Sequence, residues 1–207
     1  MVGSDPPVTT DLTVPLPRRP LEAGSRIRDW YENELEWPTV PARRGTPLRL
    51  SVGERFDVLD VPAEAGRAGL RHLAPYSPVA LQGERMRLLV APGSAEELPG
   101  LLDWLEWGGL VPDLRAIGEG GVMDAPSPPD RGDTLQGAAV WLRPPEPGRA
   151  VEASLPTLSA AGDVGGAPDL VRLVGTVAAH CHRLWLRRAC AQPSAIAATS
   201  DQALAFS

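Results

Sequence analysis

The sequence has no lysine, one asparagine and two cysteines, and all 20 of its basic side chains are arginines. Its formal net charge is −6. This acidic balance argues against a protein whose affinity for nucleic acid comes from many phosphate contacts, although it leaves a local arginine patch open. Cys181 and Cys190 lack C-x-x-C spacing, so a disulfide framework of the secreted kind is excluded. A hydrophobic content of 43% in 207 residues is enough for one sizeable core.

Long apolar runs are also missing. No segment approaches 18 consecutive apolar residues, and the first residues contain no apolar signal-peptide core. We therefore expect no membrane association and a cytoplasmic location. Five prolines among residues 1–23 predict a flexible arm. Residues 24–189 are expected to form a single domain, and 190–207 a flexible tail.

Apolar spacing and turn residues predict an α/β (α+β) protein with a mixed sheet, packed helices and a long C-terminal helix. Ser94, with Glu97 three residues later, has the spacing of a capping box that begins a helix. The predicted helices cover residues 25–37, 63–73, 95–107 and 168–189. The predicted strands cover residues 47–52, 55–61, 79–82, 86–91, 114–117, 122–123 and 138–142.

Asp57 and Asp60 are the first candidates for a metal site, because paired carboxylates hold Mg²⁺ against phosphate. Residues three apart on a strand point to opposite faces, so this pair cannot chelate one ion. His180 and His182 lie about 200° apart around a helix and cannot share a transition metal either. The sequence contains no G-x-S-x-G nucleophile turn, no P-loop and no dinucleotide fingerprint.

Trp104 and Trp107 project away from the apolar stripe of the predicted helix 95–107. Aromatic side chains outside the core stripe commonly anchor protein interfaces. These two tryptophans are therefore candidates for contact with a protein partner.

Three segments together resemble the N-terminal domain of actinobacterial bifunctional DNA primase/polymerase proteins, which has an archaeo-eukaryotic primase type of fold, and a small actinobacterial family related to it. Residues 59–66 (LDVPAEAG) are similar to the segment with the Asp-x-Asp metal motif, between a strand and a helix. Residues 87–90 (RLLV) are similar to the apolar strand that begins with a nucleotide-binding His. Residues 113–127 (DLRAIGEGGVMDAPS) are similar to the segment that runs from Asp-x-Arg through a double Gly to Ala-Pro-Pro-Ser.

The resemblance implies that Asp60 is the first metal carboxylate and Asp113 the third. This chain departs from the family pattern at two positions, because Pro62 replaces the second acid and Arg87 replaces the His. Two-metal phosphoryl transfer depends on several carboxylates, so the losses predict a degenerate site without catalytic residues. The expected ligand-binding residues are Asp60, Arg87, Asp113 and Arg115, with Arg115 toward phosphate.

We therefore expect a binding or regulatory protein that no longer catalyses primase/polymerase chemistry and that requires no cofactor. A protein partner is expected, and a nucleotide or a nucleic-acid end stays open as a ligand, as does one Mg²⁺ shared by Asp60 and Asp113. Two alternatives remain at this point. One is an active metal-dependent nucleotidyltransferase that uses the same two aspartates. The other is a pure protein-interaction module that uses Trp104 and Trp107.

Overall fold

A computed structural model describes residues 21–40, 46–129, 137–158 and 168–191. The predicted N-terminal arm lies outside the described residues up to position 20, and the predicted C-terminal tail lies outside them from position 192. Among the described residues, no helix is long and apolar enough to cross a lipid bilayer.

The described residues form four α-helices and eight short strands. The helices are α1 (Leu21–Asp29), α2 (Ala63–Gly69), α3 (Ser94–Trp104) and α4 (Leu170–Ala191), and α1 continues into a π-helical turn at Trp30–Glu34. The strands are β1 (Thr39–Val40), β2 (Arg49–Ser51), β3 (Asp57–Pro62), β4 (Val79–Gln82), β5 (Arg85–Val90), β6 (Arg115–Ile117), β7 (Val122–Asp124) and β8 (Val140–Arg143).

Two sheets are built from these strands. The larger sheet has the order β6-β3-β5-β4-β8, and the smaller one has the order β1-β2-β7. Every pair of neighbouring named strands is antiparallel. The predicted α+β class with a long C-terminal helix is confirmed. The two glycine-linked strands β6 and β7 do not pair with each other, because they enter different sheets.

The strand β3 lies inside the larger sheet and separates two hydrophobic clusters. Leu59 and Val61 belong to the cluster that packs under α2, α3 and α4. Val58 belongs to a second cluster, which also contains Leu50 and Met123 from the smaller sheet. The alternation of side chains along a strand explains this division. Both faces of the larger sheet are therefore covered over most of their area.

The first cluster is closed by a tight contact between α2 and α4. Gly69 permits it, because a Cβ at this position would lie 2.8 Å from Val177 and 2.9 Å from Leu173. A larger residue at position 69 would push the two helices apart, and packed interiors tolerate such insertions poorly.

Aromatic side chains fill the second cluster. The Tyr31 hydroxyl donates a hydrogen bond to the carbonyl of Pro126 (2.6 Å) and accepts one from Trp141 Nε1 (3.0 Å). Burial raises the pKa of Tyr31 well above its ordinary value, so the phenol stays protonated and keeps donating. Trp37 is also buried here and packs against Phe56, with 4.6 Å between the ring centroids.

The predicted capping box at Ser94 is wrong. The N-cap of α3 is Gly93 in the left-handed region (φ 86°), and it makes no side-chain cap hydrogen bond. The acceptor comes from the larger sheet instead, because Asp57 Oδ2 accepts the backbone N–H of Ala95 at 2.9 Å. A carboxylate near a helix N-terminus also interacts favourably with the helix dipole. Asp57 therefore joins the start of β3 to the start of α3.

Candidate functional site

Three of the sequence-predicted site residues lie side by side on the larger sheet. In the antiparallel register, Asp60 of β3 is opposite Arg87 of β5 and opposite Arg115 of β6. Residues directly opposite in a ladder project to the same face. This face is the one that carries Val58, so the three side chains project on the side of the second cluster. Three of the four predicted ligand-binding residues thus share one face of the sheet, and their role in binding stays a prediction.

Arg87 is the most unusual member of this row. Its Nε and Nη1 are buried and have no hydrogen-bond partner among the described residues. The remaining nitrogen, Nη2, has no such partner and is not one of the buried atoms, so the guanidinium meets solvent there. Buried donors normally have a partner, since an unsatisfied one costs about 1–3 kcal/mol and more when it is charged. The Arg87 guanidinium can therefore donate hydrogen bonds to an acceptor that the described residues do not supply.

Gln82 is the second polar group of the site with an unused bonding position. It lies on β4, on the same face as Arg87 by the register of β4 and β5. Its Nε2 donates to Asp124 Oδ2 of the smaller sheet at 2.8 Å, whereas its Oε1 is buried without a partner among the described residues. The site thus offers unused donors on Arg87 beside an unused acceptor on Gln82.

The carboxylate of Asp60 is bound by a different arginine. Arg85 Nε donates to Asp60 Oδ1 at 2.9 Å, and Arg85 Nη2 donates to the carbonyls of Asp60 (2.7 Å) and Asp113 (3.0 Å). The pair is partly buried, with side-chain exposures of 31% for Arg85 and 19% for Asp60. Arg85 therefore holds the β3 segment against the turn that precedes β6.

Asp113, in contrast, does not join the row. Its Oδ2 accepts a hydrogen bond from Arg188 Nη1 at 2.9 Å. Arg188 belongs to α4, which packs against the face of the sheet opposite Asp60. Asp60 and Asp113 are thus bound by different arginines, and the guanidinium of Arg85 bridges the two segments.

These residues do not fit the metal site that the family resemblance implies. Both candidate carboxylates are bound by arginines, and the second acid of the Asp-x-Asp motif is Pro62, a residue without a ligand atom on its side chain. Within the described ranges, no group of three or more His, Cys, Asp or Glu side chains is placed to hold an ion.

The charges of the site favour an anionic ligand. Arg85, Arg87 and Arg115 bring three guanidinium groups, whereas Asp60 and Asp124 bring two carboxylates. Asp60 is already bound by Arg85, so Arg87 and the exposed Arg115 provide the available positive charge. Guanidinium matches phosphate and carboxylate geometry through paired N–H donors.

The sequence reasoning missed Gln82, Arg85 and Asp124. One available signal was the spacing of Arg85 and Arg87, since residues two apart on a strand share a face. The contact between Gln82 and Asp124 joins two sheets, and no local pattern predicts it.

The two candidate interaction residues have different surroundings. Trp104 is 73% exposed, as expected. Trp107 is partly buried against the first cluster, and its ring lies 5.8 Å from that of His182, which in turn stacks on Trp185 at 5.8 Å. Trp107 is therefore less accessible to a partner than Trp104. Trp104 alone offers a largely free aromatic surface.

Cys181 is buried in the first cluster, and burial raises the pKa of its thiol to about 12. A thiol that stays protonated at neutral pH is a poor nucleophile. Cys181 is therefore a packing residue of α4 and brings no chemistry to the site.

No protein-family model, no curated protein and no solved structure matches this chain.

Proposed function

We propose that this protein is a non-catalytic binding or regulatory module of the primase/polymerase type, which holds a phosphate-bearing ligand on the larger sheet at Arg87. The ligand class comprises a nucleotide or the phosphorylated end of a nucleic acid. The observation that carries the proposal is the Arg87 guanidinium, two of whose nitrogens are buried without a partner among the described residues. A phosphate oxygen would supply the missing acceptor.

The surroundings of Arg87 support the same ligand class. Arg115 lies on the same face two strands away, with Asp60 between them in the register. Gln82 Oε1 would accept a hydrogen bond from a hydroxyl or amino group of the ligand. The pairing of Asp60 with Arg85 favours binding over metal-dependent nucleotidyl transfer, because one carboxylate is already neutralised.

A binding experiment tests this proposal. ATP and a 5′-phosphorylated single-stranded oligonucleotide are titrated into the protein in the presence of EDTA, with calorimetry as the readout. We expect binding to the wild type and a loss of about tenfold or more in Arg87→Gln, since a hydrogen bond to a charged group contributes about 1.5–3 kcal/mol.

Arg67→Gln is the matched control, because Arg67 is an exposed residue of α2 and the change in charge is the same. Equal affinity of both variants for ATP would contradict the assignment of Arg87. Extension of a primed template in the presence of Mn²⁺ would instead support the alternative of an active nucleotidyltransferase that uses Asp60 and Asp113.

A protein-interaction module is the second candidate, and the 73% exposure of Trp104 favours it. Truncation of an aromatic interface anchor commonly costs about 2 kcal/mol or more. If Trp104 is such an anchor, Trp104→Ala weakens self-association or binding of a partner by about thirtyfold, as sedimentation or titration would measure. Leu142→Ala is the control, because Leu142 is an exposed apolar residue on β8. Unchanged association in both variants would remove this candidate.

The proposal places the protein in the cytoplasm. Cys181 and Cys190 are both free thiols. Unpaired thiols are typical of reducing compartments.

A further inference from the structure

The strand β6 is an edge of the larger sheet. Its pairing partner among the described strands is β3, through Val58 to Asp60. The opposite edge strand, β8, has an additional bridge between Val140 and Ser127. An edge strand presents unpaired N–H and C=O groups, to which another strand can add.

A groove flanks this edge on the side of the helices. It has a volume of about 460 Å³, and its lining comes from α3 and from the segment around β6. Leu98 and Leu102 line it from α3, and Leu114 and Ala116 line it from the sheet. The helix α3 thus overhangs the edge at which the sheet ends. A side chain of an added strand would enter this apolar space.

Pro99 leaves a backbone acceptor at the same groove. It lies inside α3 and has no N–H for the carbonyl of Ala95, four residues earlier. Ala95 and Pro99 both line the groove. The groove therefore combines apolar walls with a carbonyl that lacks its usual helical donor.

Two carboxylates that form no ion pair among the described residues flank this edge on the helix side. Asp103 lines the groove, and it is exposed. At the other end of β6, Glu96 Oε1 lies 2.8 Å from the position that a Cβ on Gly118 would take. Basic side chains on an incoming strand would meet these two carboxylates, whereas acidic ones would be repelled.

We infer that β6 and the groove beneath α3 form a docking site for an extended peptide segment of a protein partner. The segment adds to the sheet beside β6 and places an apolar side chain between Leu102 and Ala116. Arginine or lysine residues two positions before and after that side chain share its face and lie near Glu96 and Asp103. This site is separate from Arg87 and does not depend on the proposed phosphate ligand.

A second copy of this chain is a poorer occupant. Antiparallel pairing of β6 with itself about Ala116 would bring the Glu96 and Asp103 side chains of both copies to one side of the junction. The strand β6 itself supplies a basic side chain only at Arg115, which projects to the other face. Like charges brought together across an interface are destabilising. The acidic groove therefore favours a basic partner over self-association.

The test uses a capped peptide with the sequence Ser-Arg-Val-Leu-Val-Arg-Ser and the full-length protein. We expect saturable binding, and slower hydrogen exchange of the backbone amides in Arg115–Ile117 by about tenfold or more when the peptide is bound. A peptide in which both Arg residues are replaced by Glu is expected to bind at least about fivefold more weakly. Proline in place of the central Leu is expected to abolish binding, because it removes a ladder hydrogen bond.

Asp103→Arg should weaken binding of the arginine peptide about fivefold, since it replaces an attraction by a repulsion of similar size. Glu84→Arg is the matched control, because Glu84 is an exposed residue in the turn between β4 and β5. Three results would overturn the inference: no binding at about 1 mM peptide, binding without a change in exchange of β6, or a dimer that already protects β6 in the absence of peptide.

Discussion

Two arginines two residues apart on β5 have different roles. Arg85 Nε and Nη2 donate hydrogen bonds within the protein, to Asp60 and to the carbonyl of Asp113. Arg87 makes no hydrogen bond to the described residues through its two buried nitrogens. The difference follows from register, because Arg85 faces the end of β3 and the turn before β6, whereas Arg87 lies within the sheet. Of these two arginines, Arg87 is therefore the one with buried donors that no described residue binds.

Asp57 is the buried carboxylate for which the structure predicts a pH effect on stability. Its side chain is fully buried, and burial raises its pKa above the ordinary value, while the backbone N–H of Ala95 acts in the opposite direction. A folded-state pKa above the unfolded value means that the folded protein binds more protons. The stabilisation from Asp57 is thus complete below pH 3.8 and is lost as the pH rises through the folded pKa.

Asp57→Asn keeps an oxygen acceptor for Ala95 and removes the buried charge. We expect its free energy of unfolding to exceed that of the wild type at neutral pH, and the advantage to disappear as the pH falls toward 4. Urea denaturation at several pH values measures this difference. Asp57→Ala is the comparison, because it loses the acceptor for Ala95. It should be less stable than Asp57→Asn by about 1 kcal/mol. An Asn variant whose difference in stability from the wild type does not change with pH would contradict this expectation.

The tripeptide Leu-Glu-Trp occurs twice and ends a helical segment both times. Glu36 follows the π-helical turn after α1 with φ 56°, and Glu106 follows α3 with φ 62°. After α3, the N–H of Trp107 bonds to the carbonyl of Leu102, and the N–H of Glu106 bonds to the carbonyl of Asp103. This is the Schellman pattern, which favours glycine at the left-handed position.

Glu106→Gly should therefore stabilise the protein by about 0.5–1 kcal/mol, because glycine adopts a positive φ without a Cβ clash, although it gains entropy in the unfolded chain. Urea denaturation measures the change. Glu106→Ala removes the same charge but keeps a Cβ, so it should give no such gain. A gain of equal size in the alanine variant would show that charge, and not backbone conformation, limits stability at this position.

At the level of elements, periodicity and turn residues predicted most of the fold. The hairpin of β4 and β5 lies across Gly83 (φ 56°) as expected, and α4 covers nearly the predicted range. The capping of α3 was wrong because its acceptor, Asp57, is 38 residues away in sequence. The first helix begins at Leu21, before the predicted Ser25.

The candidate site was predicted in part. Asp60, Arg87 and Arg115 share a face because strand register aligns them, and the alternation of side chains makes this accessible from sequence. The separation of Asp113 from that row could not be predicted, since it depends on Arg188 of α4. The contact of Gln82 with Asp124 depends on how the two sheets meet. Tertiary contacts, and not local sequence patterns, therefore determine the position of Asp113 and the contact between Gln82 and Asp124.

At the level of the whole molecule, the two hydrophobic clusters lie on opposite faces of the larger sheet, and the row of Asp60, Arg87 and Arg115 lies on the face of the second cluster. The net charge of −6 shows that carboxylates outnumber arginines, yet none among the described residues accepts a hydrogen bond from the buried nitrogens of Arg87. We propose that Arg87 keeps its donors for an anionic ligand, while the neighbouring Asp60 is already bound by Arg85.

Nuclear magnetic resonance of the arginine Nε–Hε groups during a titration with ATP in EDTA tests that claim most directly. The account predicts that the Arg87 Hε signal moves downfield along the same saturation curve as the calorimetric binding, whereas the Arg85 signal changes little. An Arg87 signal that stays in place while ATP binds would contradict it, as would binding of ATP to Arg87→Gln with wild-type affinity.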